Sequence, residues 1–161
     1  MHSPADETGT GAISRTARLL ALLGFVPFAV MSLWLFGIAQ DHPWGPVTIL
    51  LLKSYSLVIL SFLGGIRWGL GMKTTSGEGR RDLVASCAPP LAGWAGFFIP
   101  VPYAFALFAV AFAAQGAWDA FAVHHDRAPR WFGPTRLLLT VLVVSALILS
   151  FAATARSAQP G

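Results

Sequence analysis

Three ionisable side chains, Lys53, Arg67 and Asp119, stand inside otherwise apolar stretches of this chain. An ionised group in such a setting costs about 2.5 to 3.5 kcal/mol at the middle of a bilayer and less near its edges, so it persists where it is paired, hydrated or in use. Arg67 and Asp119 are opposite in charge and matched in depth. Each lies a turn inside the end of its apolar run, on the order of 10 to 13 Å from the middle of that run at 1.5 Å per residue. The spacing predicts an ion pair that locks the second run to the fourth. The competing reading has both side chains reaching water independently, as long charged side chains can. Asp119 shares a helical face with Gln115, Phe112, Phe108 and Phe105, by steps of three and four. Lys53 lies nearer the other end of its run. Its stem can extend to the interface, where Asp41 is available; the alternative is a water-lined cavity around Lys53, Tyr55, Ser56 and Ser61.

Other chemistries find little support. No pair of acids lies within one run, as membrane metalloproteases or glycosidases need. HExxH, GxSxG and the P-loop are missing from the sequence. His124, His125 and Asp126 are adjacent, but neighbours in a loop rarely converge on one ion, and no further ligand is evident. Cys87 sits in an apolar setting, which raises a thiol's pKa and makes it inert; as the single cysteine it excludes an intrachain disulfide and a multi-cysteine metal site. Neither a metal nor a cofactor is expected, and nothing supports an enzyme.

The elements that position these residues are apolar blocks of about 20 residues, the length that crosses ~30 Å of hydrocarbon. The chain has 161 residues, 55% of them apolar and 11% charged, against about 25% charged in soluble domains. Lipid is therefore its solvent. The blocks run over residues 19–39, 47–70, 82–98, 103–123 and 134–153, with short connections between them. Residues 1–16 read as a disordered lead, 17–153 as the membrane domain and 154–161 as a short tail. Arg15 and Arg18 precede the first block, which gives a signal peptide as the rival reading; its length, Pro27 and Trp34 favour a retained span.

Charge gives the orientation. With the N-terminus inside, the inner segments carry Arg15, Arg18, Lys73, Arg80, Arg81, Arg127, Arg130 and Arg136, and the outer ones only Arg156. Such a split over short loops predicts a cytoplasmic N-terminus and five spans. The net charge of +4 is thereby explained by membrane flanks, and nucleic acid is not expected as a partner. Nine arginines against two lysines, with abundant Ala and Gly, point to a GC-rich bacterial genome and hence to an inner membrane.

Within the second block, Lys53, Ser56, Leu57, Leu60, Gly64 and Arg67 share a face, with Ser61 and Gly65 at its margin, and Val58, Ile59, Phe62 and Ile66 opposite. The small polar face is expected to turn inward. Gly65 and Gly69 make a GxxxG spacing, read as packing within the chain, with dimerisation as the alternative. Pro27 and the pair Pro89-Pro90 should kink their helices. The small residues around Pro89 make the third helix thin and central. Carbonyls freed at the prolines are expected to be satisfied by neighbouring helices, the alternative being a cavity.

The run KSYSLVILSFLGGIRWGL from Lys53 to Leu70 resembles the signature of a family of small multi-span proteins that includes transmembrane protein 69. Its most specific part is Ser61-Phe62-Leu63-Gly64-Gly65 followed by Arg67-Trp68-Gly69. Pro129-Arg130-Trp131-Phe132 leading into Arg136-Leu137-Leu138-Leu139-Thr140 resembles the start of the family's last span, and Ser86, Pro89 and Trp94 fit the third. The resemblance covers about residues 17–153 and implies five spans. It implies no activity, because the family is labelled a domain of unknown function.

The expected fold is therefore all-α, a polytopic membrane bundle of five transmembrane helices. Two functions fit it. One is a structural or interaction component of the membrane, meeting lipid, other membrane proteins or its own copies through Gly- and Ala-rich faces. The other is a small oligomeric transporter or channel with a polar path along the second span.

Overall fold

The computed structural model describes residues 15–38, 42–72, 77–124 and 132–157, and no strand occurs among them. Prolines decide where several helices begin. Pro27, Pro46 and the pair Pro89-Pro90 each fall in the first turn of a helix, where a missing N–H costs nothing and the fixed φ suits the helix. The first block is accordingly two pieces, α1 (15–23) and α2 (Val26–Gly37), joined by a turn at Gly24 and Phe25. The third block is likewise α4 (Gly77–Ser86) and α5 (Ala88–Phe98), broken at Cys87. The remaining helices are continuous: α3 (Gly45–Gly71), α6 (Tyr103–His124) and α7 (Phe132–Ser157).

Two expected boundaries need correction. Helix already covers residues 15 and 16, assigned above to a disordered lead, and α7 runs to Ser157, past the start expected for the tail. The lead was read as disordered from its small and polar composition, and the tail only as short. The helices continue because they extend amphipathic ends that carry arginines, which suit the interface. Residues 1–14 and 158–161 lie outside the described residues.

The helices form a ring in which α2 packs between α3 and α7, α7 against α6, α6 against α5, and α4 and α5 against α3, while α3 also touches α6 across the middle. The centre is aromatic. Phe28 of α2 meets Tyr55 of α3 and Phe112 of α6 edge-on, with ring centroids 5.0 and 5.5 Å apart; such geometry adds about 0.5–1.5 kcal/mol per pair beyond burial. Phe105, Phe108, Leu52, Leu60 and Leu147 complete this fully buried core. The outer surface is the inverse of a soluble protein's. Leu33, Leu51, Val58, Phe62, Val110, Val141 and Ile148 are all exposed. A contiguous apolar exterior on this scale requires lipid.

Glycines set the closest approaches. A Cβ at Gly64 would lie 2.6 Å from the Ser86 carbonyl and 2.9 Å from Pro90 Cδ, so α3 touches the α4–α5 break at that residue. A Cβ at Gly96 would meet the Phe108 ring at 2.7 Å, and one at Gly116 would overlap Thr140 of α7. Without a hydrophobic force between helices in lipid, such close contacts supply much of the association energy.

Candidate functional site

The C-terminal ends of α3 and α6 and the N-terminal end of α7 bring three charges together. Arg67 sits four residues before the end of α3 and is buried, at 7% exposure. Its Nη2 donates to Asp119 Oδ1 at 3.1 Å. The second carboxylate oxygen, Oδ2, accepts from Arg136 Nε at 2.5 Å. Arg67 also lies over the Trp118 ring, 4.8 Å from its centroid. The site is thus a triad of one carboxylate between two guanidinium groups, with an indole against one of them. Sequence reasoning paired Arg67 with Asp119 but counted Arg136 only among the cationic flanks. The usable signal was its place within a turn of the start of the last apolar run, at the depth of Asp119. Gln115 is buried one turn before Asp119 on α6.

Lys53 has a partner that neither expectation named. Its Nζ donates to the carbonyl of Ile99 at 2.8 Å and lies 5.7 Å from the Phe97 ring centroid. Ile99 is the residue that ends α5. A helix C-terminus exposes unpaired carbonyls and carries partial negative charge, and a cation there answers both. Lys53 therefore closes the end of a neighbouring helix. The reason lies in length: α3 begins eight residues before Lys53, about 12 Å at 1.5 Å per residue, while α5 stops at the level of Lys53. Asp41, the partner considered above, lies outside the described residues.

The remaining polar groups of the spans close on themselves. Ser56 is fully buried and donates to the Leu52 carbonyl of its own helix, 2.7 Å away. Ser61 is exposed on the outside of α3, so it does not join the small polar face. Tyr55 Oη donates to the Gly24 carbonyl at 2.7 Å, across the break between α1 and α2. The hydroxyls of Ser32 and Ser150, both buried, lie 2.9 Å apart and tie α2 to α7. Among the described residues, no enclosed side-chain nitrogen or oxygen lacks a hydrogen-bond partner.

The packing candidates divide. Gly64, Pro89 and Pro90 lie at the contact of α3 with α4 and α5. Gly65 and Gly69 do not pack within the chain: both are exposed, and a Cβ at either would meet nothing within 4 Å. Their spacing is permissive, but at 100° per residue they fall on the lipid side of Gly64. Cys87 is exposed at the break of the third block. The side chain of His124, and His125 and Asp126 entirely, lie outside the described residues. Elsewhere among the described residues, no three His, Cys, Asp or Glu side chains group as metal ligands would.

Residues 13–152 match the family described as "Protein of unknown function (DUF3429)". The chain belongs to this family. Transmembrane protein 69 of Xenopus tropicalis is 30% identical to it over 142 residues, which are 83% of this chain and 53% of that protein. The DUF3429 chain thus spans about half the length of this curated relative. No solved structure matches it. Three of its helical stretches, Arg15–Gly37, Gly45–Gly71 and Gly133–Arg156, are long and apolar enough to cross a bilayer, which makes this DUF3429 protein a multi-pass membrane protein.

Proposed function

We propose that the chain is a five-span structural or interaction component of the membrane, with its N-terminus in the cytoplasm, and that its interior charges hold helices together. The observation that carries this reading is that Lys53, Arg67, Asp119 and Arg136 each bond a partner within the chain. Arg67 and Arg136 are each anchored to Asp119, and Lys53 to the end of α5. A transport path needs groups that are free to bind and release. Between Lys53 and Arg67, α3 turns fully buried Ser56 and Leu60 toward the core, which opposes a polar path along that helix.

Two further crossings join the three apolar ones in this reading. α6, at 22 residues, measures about 33 Å and lies between α5 and α7. The broken α4–α5 unit has about the same length. The eight-to-one distribution of cationic flanks supports the cytoplasmic N-terminus, and the arginine-rich composition supports a bacterial inner membrane. Partners would be lipid, other membrane proteins or a second copy, met through the exposed Ser61–Gly65–Gly69 side of α3.

The test replaces the triad by apolar residues of similar size, Arg67→Met, Asp119→Leu and Arg136→Met together. Buried ion triads are often replaceable in this way with little loss of stability. A folded triple variant that keeps its co-purifying membrane proteins supports the reading. A folded variant that loses transport of a solute across reconstituted vesicles would replace it with the transporter reading.

A further inference from the structure

We infer that the inner-end triad receives the phosphate of an anionic phospholipid headgroup. Two guanidinium groups face one carboxylate, so this cluster carries an excess of one positive charge. The C-termini of α3 and α6 offset part of it and the N-terminus of α7 adds to it; the guanidinium excess outlasts both partial charges. Each guanidinium presents five N–H donors in a fixed fork, and the bonds to Asp119 engage one nitrogen of each. The side chains of Arg67, Asp119 and Arg136 keep 8%, 18% and 14% of their area exposed. The triad is thus mostly enclosed by the bundle but not sealed from its surroundings.

The surroundings select lipid over a soluble anion. Trp68 and Trp118 are both exposed at this end, and indoles settle at the headgroup level of a bilayer. Trp118 holds one face against Arg67, fixing the fork while its edge meets lipid. Arg80 and Arg81, also exposed, add an attractive field for anionic headgroups within a Debye length. Planar guanidinium forks match phosphate oxygens in pairs, which ammonium groups do not. The choice of leaflet rests on the topology proposed above. A failed topology test would move the site to the other leaflet and leave headgroup selectivity intact, so the two failures are distinguishable.

The experiment uses the full chain in bilayer nanodiscs of phosphatidylcholine mixed with phosphatidylglycerol, and reads by native mass spectrometry which lipids stay bound. The wild type is expected to retain phosphatidylglycerol several-fold over phosphatidylcholine. Arg136→Lys keeps a charge for Asp119 but loses the fork, and should lower that preference about fivefold. Trp118→Leu removes only the support and should lower it without altering any charge. The double variant Arg80→Gln/Arg81→Gln lies outside the site and should keep most of the preference. No preference in the wild type would overturn the inference, and that measurement needs no variant to fold. Equal retention by the wild type and by Arg136→Lys or Trp118→Leu would also overturn it. So would protection of the wild type by millimolar inorganic phosphate equal to that by the lipid.

Discussion

Arg67 and Arg136 do not compete for Asp119: each holds a different oxygen of its carboxylate, one from α3 and one from α7. One acid thereby ties α3 to the consecutive helices α6 and α7. Its removal leaves two guanidinium groups facing each other in a poorly solvated place. Asp119→Asn should therefore destabilise the protein by on the order of 3 kcal/mol, the range for breaking a buried ion pair. The thermal midpoint in mild detergent would record it, and a midpoint equal to that of the wild type would mean the charges are not coupled.

The geometry also changes the outcome expected of a charge swap. A simple pair would be rescued by Arg67→Asp with Asp119→Arg. In the triad, the new arginine at 119 would face Arg136, and the double variant should recover little folded protein. Reversing Arg136→Asp as well restores an alternating set and should recover most of the yield. Full rescue by the double variant alone would show that Arg136 contributes nothing, because couplings of this kind are non-additive only among groups in contact.

Lys53→Met should cost about 1.5–3 kcal/mol, the range for a hydrogen bond made by a charged donor, because the Ile99 carbonyl would be left without its partner. Lys53→Arg should recover part of that loss. If Lys53 instead reached water alone, methionine would be neutral or stabilising. The melting curves of the two variants separate these cases.

The amount of this that could be read from the sequence follows from range. Spans, proline breaks and the Arg67–Asp119 pair are written in local pattern: block length, ring geometry, and one cation and one anion at equal depth. Arg136 was missed because positive-inside counting treats any arginine near a span end as a flank, although a residue one turn into a helix can still point inward. The partner of Lys53 was not legible because it is a backbone carbonyl. Every residue carries one, so no side-chain pattern reveals it; only the early end of α5 exposes that of Ile99. The inward or outward choice between Gly64 and Gly65 is a matter of 100° of rotation, which depends on what the neighbouring helix offers.

Tyr55→Phe isolates the repair at the break in the first block. Phenylalanine keeps the ring against Phe28 but cannot donate to the Gly24 carbonyl. The loss should be about 0.5–1.5 kcal/mol, as for one neutral hydrogen bond. It should also appear as faster amide exchange around Gly24 and Phe25, with exchange in α6 unchanged. Uniform acceleration throughout the bundle would assign Tyr55 a global packing role.

Glycine replacement should divide along the two sides of α3. Gly64→Ala places a methyl against the Ser86 carbonyl, and Gly96→Ala and Gly116→Ala do the same against Phe108 and Thr140. Overpacking of this kind costs about 1–3 kcal/mol. Gly65→Ala and Gly69→Ala meet open space and should be neutral, or stabilising by up to about 1 kcal/mol through helix propensity. The same outer pair decides the self-association reading. Gly65→Leu with Gly69→Leu leaves the bundle interior untouched while blocking close approach of another helix. If copies meet there, crosslinking between copies in the membrane should fall several-fold at an unchanged thermal midpoint. Crosslinking that persists in that variant would place any contact between copies on a different face.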